Sequence, residues 1–402
     1  AYDWCYDYLN EAQRKIVSDA ILYNGLEAGR EQYQGRAQGT NFVFQAMNWN
    51  SVCNGGLITG ACAIMDEQPV AARYTITNAL RSFEYMLPEF APSGAWVEGV
   101  AYWEYTVKFM GYMVDSLRTT LGTDFNIANY TGIDKTADFI FGITGNCGYN
   151  NFHDAGTTDN LSVQLLWLGK HFKSAKIVDA YLSLLDMHEI SGGIYDCLWY
   201  DPALAAQAGE GYPLDVTTSV TETGSMRSSW EDQKGMWLAY SGGANMVNHY
   251  HLDEGSFVLD MLGVRWALDM GGDILSYTGG FGGSRNDLFR IRPESHNTLV
   301  INPDESPGQE LTAYCPIIRA ESKEKGAIQV LDLTSAYSSQ ADSVLRGFML
   351  KDDRRTAVIR DEIKLVDKSE VYWLMHTEAE VEIISKDTAI LTKNGKRMQV
   401  EF

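Results

Sequence analysis

The hydrophobic positions of the chain follow two different periods. Up to about residue 210 they recur every three or four residues, as they do on one face of an α-helix. The segments with this period are 11–33, 69–87, 98–121, 160–168 and 175–185. Glycine-containing stretches interrupt it at 55–56, 92–94 and 145–148, at intervals typical of paired helices. The first half is therefore predicted to be helical, with the helices packed as hairpins.

After about residue 212 the pattern changes to short runs in which apolar and polar residues alternate, as they do in β-strands. These runs are 236–240, 256–262, 298–301, 327–333, 356–359 and 371–375. Turns rich in Gly, Asn and Asp separate them, which favours antiparallel sheets packed as a sandwich. We predict an α+β multidomain chain with a helical domain at residues 1–212 and a β domain at residues 213–402.

Composition narrows the class of protein. A chain of 402 residues that is 45% hydrophobic has enough apolar material for two cores. With 53 acidic against 32 basic residues its formal net charge is -21, which disfavours nucleic acid and anionic membranes as partners. We find no apolar run of the roughly 18 residues that suggest a membrane-spanning helix. The opening AYDWCYDYLNEAQRK lacks the pattern of a signal peptide, so none is expected within this chain.

The stretch NHYHLDEGSF holds two of the seven histidines, His249 and His251, followed by Asp253. In a strand these three side chains would project from one face, either as a site or as a solvated polar surface. Asp269 closes the next apolar run, and His296 follows the basic stretch RNDLFRIR. Two imidazoles and one carboxylate are an ordinary ligand set for zinc with an open position.

Several stretches together resemble the heparinase II/III superfamily of polysaccharide lyases. They are HYHLDEGSFVLDMLGVRWALDMGGD, RIRPESHNTLVIN, NWNSVCNGG, GAWVEGVAYWEY and SMRSSWED. In that family an (α/α) toroid precedes an antiparallel β-sandwich. The resemblance implies an incomplete toroid that lacks its N-terminal part and a sandwich truncated at its C-terminus. It also implies that His251, Asp269 and His296 bind Zn²⁺ in a structural or organising role, which leaves His249 for proton transfer.

The implied reaction is β-elimination, in which the proton next to a uronate carboxylate is removed. The resemblance places Asn48 at the position that neutralises this carboxylate, and Tyr102 as the phenol that takes the proton, donates one to the leaving oxygen, or does both. Tyr105 is the alternative phenol. A phenol with an ordinary pKa of about 10 needs activation to act as a base, so a nearby cation or Asn48 is expected to lower its pKa. Glu98 is expected to hold the helix in place.

Substrate contacts are predicted from arginine and aromatic residues. Arg292 lies in a basic segment beside His296, and Arg227 stands in SMRSSW, so both are candidates for carboxylate or sulfate groups. Trp49, Tyr105 and Tyr277 are candidates for the sugar rings, with core packing as the alternative for Trp49. Many relatives have histidine at the position of Trp49. The pair His153 and Asp154 either joins the substrate floor or forms an internal pair in a loop.

The sequence thus predicts a lyase acting on an acidic polysaccharide, such as a glycosaminoglycan like heparan sulfate, or alginate. The family habit implies a secreted or periplasmic bacterial enzyme. Two alternatives remain open. One is a toroidal glycoside hydrolase with Asp154 and Glu98 as its two carboxylates. The other is a carbohydrate-binding protein that keeps the fold and the zinc without catalysis.

Overall fold

The computed structural model describes residues 2–39, 41–156, 162–207, 209–278, 280–281 and 283–402. Its first half is helical, as predicted. The helices are α1 Glu11–Ala20, α2 Glu27–Tyr33, α3 Asn48–Ala63, α4 Pro69–Phe83, α5 Val100–Leu121, α6 Thr136–Ile143, α7 Gln164–Phe172, α8 Ala175–Met187, α9 Ile194–Trp199 and α10 Pro202–Ala205. A π-helical segment, Ile21–Leu26, joins α1 to α2. Residues 160 and 161 of the predicted segment 160–168 lie outside the described residues.

Helix α3 differs from the prediction. Gly55 and Gly56 lie inside this helix and do not end it. A Cβ atom on Gly55 would come 2.7 Å from the carbonyl oxygen of Phe109 in α5, so glycine lets the two helices approach closely. The pattern at 48–63 gave no helical signal because the buried face of α3 carries polar residues. These are Asn48, Asn50, Ser51 and Asn54.

Helix α5 begins later than the sequence indicated. Gly99, at φ 84°, precedes its first residue, Val100, so Glu98 lies in the preceding turn and not on the helix. The aromatic residues of this helix differ in burial. Tyr105 is 43% exposed, whereas Trp103 is fully buried and its indole donates to Thr136 Oγ1 at 2.7 Å.

Strands dominate the second half. After the short hairpin of β1 Thr144–Gly145 and β2 Gly148–Tyr149, they are β3 Asp215–Thr217, β4 Gly224–Arg227, β5 Trp237–Tyr240, β6 Gly243–Ala244, β7 Phe257–Met261, β8 Val264–Ala267, β9 Leu299–Ile301, β10 Tyr314–Cys315, β11 Ile317–Lys323, β12 Gly326–Asp332, β13 Ala341–Lys351, β14 Thr356–Leu365, β15 Val371–Trp373, β16 Glu380–Ser385, β17 Thr388–Lys393 and β18 Lys396–Glu401. All the strand pairs described are antiparallel. The larger sheets have the orders β3-β4-β5-β7-β8, β11-β12-β13-β14 and β16-β17-β18.

Each half has its own core. The helical core contains fully buried aromatic residues such as Trp103, while the main core of the sheets includes Tyr240 stacked on Phe348 with ring centroids 4.3 Å apart. Burial of one large apolar side chain contributes about 1.5–3 kcal/mol. The change from helix to strand falls between Ala205 and Asp215, and the division into domains at residue 212 stays a prediction.

The structure places no membrane-crossing helix in the described part of the chain, where no helix has both the necessary length and the necessary apolarity. Polar side chains are among the contacts between the two halves. The guanidinium of Arg227 in β4 donates to the carbonyl oxygens of Phe141 and Thr144, and Asp260 in β7 accepts from the backbone amide of Cys147 at 2.9 Å.

Candidate active site

Three residues that are distant in sequence meet where the helical half faces the loop before β7. Asn48 is the first residue of α3, Tyr102 lies in the first turn of α5, and His249 lies between β6 and β7. Asn48 Nδ2 is 3.5 Å from His249 Nε2. The rings of Tyr102 and His249 are stacked, with centroids 3.5 Å apart. The structure thus brings together the three residues for which the sequence predicted a shared role.

Glu98 fixes the position of Asn48. This carboxylate is fully buried and accepts hydrogen bonds from the Asn48 backbone at 2.8 Å, from Asn48 Nδ2 at 3.1 Å and from the Trp96 indole at 2.9 Å. The side-chain amide of Asn248 also donates to it. Since Asn248 precedes His249, one buried carboxylate joins the start of α3 to the loop that carries the histidine.

On the opposite side of the imidazole, Asp154 Oδ2 lies 2.9 Å from His249 Nδ1. Its other oxygen, Oδ1, is 3.0 Å from His251 Nε2 and 2.7 Å from Arg285 Nη2. Burial alone would raise the pKa of this carboxyl, but the hydrogen bonds from His249 and His251 and the Arg285 charge hold it well below its ordinary value. Asp154 is therefore ionised and acts only as an acceptor.

Tyr102 has a raised pKa, contrary to the expectation of an activated phenol. Burial raises it, and the hydrogen bond between its hydroxyl and that of Tyr277 adds to the effect. The Asp154 and Glu98 charges act in the same direction. The phenol therefore keeps its proton at neutral pH, which makes it better suited to donate a proton than to accept one.

The segment of His249, His251 and Asp253 is a loop and not the predicted strand. His249 has a left-handed backbone, at φ 62°, so its side chain does not follow strand alternation. His249 stacks on Tyr102 and contacts Asp154 Oδ2, while His251 contacts Asp154 Oδ1 and its ring lies 5.2 Å from that of His296. The prediction that the three side chains share a strand face is wrong, because the segment is a loop, although both imidazoles meet one carboxylate.

A buried cluster suited to a metal ion lies beside this loop. Ligand atoms of Asp253, Asp269 and His296 lie within 4.8 Å of one another. Asp269 Oδ2 is 2.8 Å from His296 Nδ1 and accepts from the Ser256 hydroxyl, also at 2.8 Å. Asp269 and His296 belong to the ligand set expected from the sequence, whereas Asp253 was not part of that set.

The donor atoms of this region fit zinc. The buried polar atoms without a hydrogen-bond partner among the described residues include Nδ1 of His251, Nε2 of His296 and Oδ1 of Asp253. The second nitrogen of His251 contacts the Asp154 carboxylate, an arrangement that commonly fixes the tautomer and orientation of a metal-binding histidine, whereas that of His296 contacts Asp269, itself a member of the cluster. Imidazole and carboxylate donors of this kind suit Zn²⁺.

The residues predicted to contact substrate fall into two groups. Trp49, Tyr105 and Tyr277 are 46%, 43% and 39% exposed, next to or one helical turn from the residues that meet at the site. Arg227 is only 3% exposed and lies over the Trp230 ring, so its predicted contact with substrate does not agree with the structure. Arg292 is already paired with Glu294 at 2.8 Å, which reduces its availability for an anionic sugar.

Sequence reasoning missed how the neighbouring polar residues are used. His153 and Asp154 do not pair: the backbone amide of His153 donates to Asp253 at 3.1 Å, whereas Asp154 holds His249. Arg285 is buried against Asp154 and does not form part of an exposed basic patch. The only sequence feature that pointed to these residues was that His153 and Asp154 are adjacent. Adjacency gives no information about their hydrogen-bond partners, which lie roughly 100 residues away in the chain.

Comparison with known proteins finds a family for the second half of the chain. Residues 231–402 match the family described as "Heparinase II/III-like, C-terminal". No curated protein sequence matches the chain. Among solved structures, the chain is similar to heparan sulfate lyase HepC from Pedobacter heparinus, with a TM-score of 0.65 and 12% identity over 99% of this chain and 64% of the other. It is also similar to the Heparinase III-BT4657 gene product, with a TM-score of 0.65 and 14% identity over 96% of this chain and 63% of the other.

At these identities the structural likeness shows the fold alone, and the chain spans less than two thirds of the length of either structure. The family model, in contrast, covers the part of the chain that carries His249, His251, Asp269 and His296. The resemblance to the heparinase II/III superfamily is therefore confirmed: residues 231–402 match the heparinase II/III-like C-terminal family, within a chain that shares the fold of heparinase III-type structures.

Proposed function

We propose that the chain is part of a polysaccharide lyase that cleaves a uronic-acid-containing polysaccharide by β-elimination. The substrate class is a glycosaminoglycan such as heparan sulfate, or alginate. The observation that carries the proposal is the meeting of Asn48, Tyr102 and His249 at one site between the helical half and the loop before β7. An amide, a phenol and an imidazole are the groups that this elimination needs.

The geometry supports a proposal of two proton carriers with separate tasks. Because Asp154 accepts from His249 Nδ1, the imidazole keeps a lone pair on Nε2, which can take the proton at C5 of the uronate. The electrons of that C–H bond form the C4–C5 double bond as the C4–O bond breaks. Tyr102, whose raised pKa keeps it protonated, then gives its proton to the leaving oxygen. The Asn48 amide donates to the uronate carboxylate, whose negative charge grows during this step.

We further propose that His251, Asp269 and His296 hold Zn²⁺, with Asp253 as a fourth donor. The unpartnered buried atoms of His251, His296 and Asp253 support this set. A bound zinc ion supplies a fixed positive charge among these buried side chains. The proposed ligands His251 and Asp253 belong to the loop that carries His249, so these residues also orient that loop.

Exposed aromatic rings complete the proposed cleft. Trp49 follows Asn48, Tyr105 lies one turn after Tyr102, and Tyr277 contacts the Tyr102 hydroxyl, so all three border the proton carriers. Such rings offer flat apolar surfaces to sugar faces.

We propose that the helical half is an incomplete (α/α) toroid, that the sheets form a sandwich, and that the enzyme is secreted or periplasmic.

The glycoside hydrolase alternative is disfavoured by the state of its two carboxylates. Such enzymes need an acid with a raised pKa and a second free carboxylate that can reach the sugar. Glu98 is fully buried and accepts four hydrogen bonds, and Asp154 is held by His249, His251 and Arg285 with a lowered pKa. Neither carboxylate is free to carry protons.

The experiment is digestion of heparan sulfate, alginate and hyaluronan by the whole protein, followed by ultraviolet absorbance and by reducing ends. A lyase produces both signals, because elimination leaves a double bond conjugated to the carboxylate. Reducing ends without absorbance would identify a hydrolase. Binding of a polysaccharide with neither signal would identify the non-catalytic alternative, and either result contradicts the proposal.

A further inference from the structure

We propose that Asp154 is the positioning residue that sets the tautomers of His249 and His251 together. Its role in turnover rests on the function proposed above, but the tautomers themselves do not. Asp154 comes from the segment after β2 in the helical half, whereas both histidines come from the loop before β7. One carboxylate therefore orients two imidazoles from a separate part of the chain.

The hydrogen-bond pattern allows one arrangement of protons. Asp154 accepts from His249 Nδ1 through Oδ2 and from His251 Nε2 through Oδ1. Since an ionised carboxylate cannot donate, both ring nitrogens must carry hydrogen. His249 then keeps its lone pair on Nε2, 3.5 Å from Asn48 Nδ2, and His251 keeps its lone pair on Nδ1, which is buried without a hydrogen-bond partner among the described residues.

Asp154 is itself held rigidly. The fully buried Arg285 donates to Oδ1 at 2.7 Å, and its guanidinium also donates to the carbonyl oxygens of Ser276 at 2.6 Å and Tyr250 at 3.2 Å. The backbone amide of Asp154 donates to the carbonyl oxygen of His249 at 3.2 Å. Side chain and backbone thus fix Asp154 against the same loop, which leaves little freedom for the imidazole of His249 to rotate.

The test is the nitrogen-15 spectrum of histidine-labelled protein at about pH 8, where an imidazole of ordinary pKa is neutral. We expect His249 to carry its proton on Nδ1 and to show an unprotonated Nε2. In Asp154→Asn the remaining oxygen should stay beside the Arg285 guanidinium, at the Oδ1 position, so the amide nitrogen faces His249 Nδ1 and the two tautomers of His249 mix or reverse. Asp154→Glu keeps the carboxylate and should largely retain the tautomer.

Kinetics give the second measurement. If the lyase reaction is confirmed, Asp154→Asn should lower kcat about 100-fold or more and change KM by less than about 3-fold, because substrate contacts remain while the base is misoriented. The matched control is Asp260→Asn. Asp260 is also buried and paired with an arginine, Arg265 Nε at 2.8 Å, but lies in β7 away from the imidazoles. It should leave the His249 tautomer and kcat close to those of the parent.

Three results would overturn the inference. They are a parent His249 protonated on Nε2, a tautomer unchanged in Asp154→Asn, and an equal loss of kcat in Asp260→Asn. The parent spectrum needs no variant, so it decides the question even if Asp154→Asn fails to fold. If the parent protein cleaves no uronate polymer, the proposed function fails, whereas the spectrum still decides the role of Asp154.

Discussion

The imidazole of His249 lies flat against the phenol of Tyr102, with the ring centroids 3.5 Å apart and the planes 16° from parallel. In this arrangement the two rings do not hydrogen-bond to each other. The Tyr102 hydroxyl contacts Tyr277, and the two nitrogens of His249 face Asp154 and Asn48. The site therefore holds two proton carriers side by side, each oriented by its own partner, which suits a reaction with one proton removed and another delivered.

Tyr102→Phe tests the proposed acid. The change removes the hydroxyl but keeps the ring that stacks on His249, so the site should keep its shape. We expect kcat to fall about 100-fold or more, since general acid catalysis contributes roughly 10²–10⁴-fold. The loss of the hydrogen bond to Tyr277 should cost only about 1 kcal/mol of stability. The measurement is the rate of ultraviolet absorbance increase together with a thermal melt.

The comparison is Tyr105→Phe, the same substitution three residues further along α5. The Tyr105 ring is 43% exposed and contacts Phe109 edge-on, and the ring proposed to face the sugar is kept, so the loss of its hydroxyl should lower kcat less than Tyr102→Phe does. A larger loss for Tyr105→Phe than for Tyr102→Phe would transfer the acid role to Tyr105, which is the alternative that the sequence left open.

Glu98→Gln tests the link between the two halves. The carboxylate accepts four hydrogen bonds, two at each oxygen, and glutamine replaces one of these oxygens by an NH₂ group. In either orientation this NH₂ group faces two donors, one from Asn48 and the other from Asn248 or Trp96. We expect a loss of about 2–3 kcal/mol in the free energy of unfolding, measured by urea denaturation. Glu104→Gln is the control, because the Glu104 carboxylate pairs with the partly exposed Lys108 at 3.5 Å and with no other basic side chain in the described part of the chain, so the change should cost less than about 1 kcal/mol. Equal losses would show that Glu98 has no special structural role.

The sequence was sufficient for the coarse fold because hydrophobic period reports which face of an element is buried. Segment 175–185 is helix α8, and segment 327–333 corresponds to β12, each within two residues at its ends. Helix α3 was not predicted, because its buried side is lined with asparagine and serine and its two glycines resemble the end of a helix. Burial there serves hydrogen bonding and close packing with α5, neither of which has a hydrophobic period.

Site residues could be predicted where they lie within a recognisable sequence motif. They were harder to predict where their role depends on a hydrogen-bond partner that is distant in sequence. Asn48, Tyr102 and His249 could be named because each lies in a stretch that resembles a known family. Glu98 was expected only to hold the helix, and Asp154 could not be assigned to His249, because a hydrogen bond across 95 residues depends on the tertiary fold. The pKa of Tyr102 was misjudged for the same reason, since burial and Tyr277 decide it.

Zinc binding gives a prediction that separates two ligand sets. The set expected from the family contains His251, whereas the compact cluster in the structure contains Asp253. If Asp253 is a fourth donor, Asp253→Asn should weaken zinc binding by about 10-fold or more, as measured by competition with a chromophoric chelator. Zinc should also raise the melting temperature of the parent, because it binds only the folded state.

His296→Ala should abolish zinc binding in either ligand set. His171→Ala is the control, because His171 lies between Arg118 and Asn129 in the helical half and should leave the affinity unchanged. An Asp253→Asn variant with the affinity of the parent would remove Asp253 from the ligand set. Unaltered zinc binding in both His296→Ala and Asp253→Asn would exclude the whole proposed centre.

Alkaline pH should destabilise the chain through Tyr337. Burial raises the pKa of Tyr337 to about 12, although hydrogen bonds with Thr298 and Gln309 oppose this. The unfolded phenol titrates near 10, so between about pH 10 and 12 the unfolded state binds fewer protons and the free energy of unfolding falls as pH rises. The contribution of the protonated Tyr337 phenol to the free energy of unfolding is fully present below pH 10, and its loss at higher pH amounts to about 3 kcal/mol.

Tyr337→Phe removes this titration. Its free energy of unfolding, from urea denaturation, should therefore fall by about 2–3 kcal/mol less than that of the parent between about pH 9 and pH 12. At neutral pH the variant should be less stable, because the hydroxyl donates to the Leu299 carbonyl oxygen at 2.7 Å. Tyr8→Phe is the control, since Tyr8 is 89% exposed and should follow the parent at every pH. A Tyr337→Phe variant with the same alkaline loss as the parent would show that this phenol does not set the pH dependence.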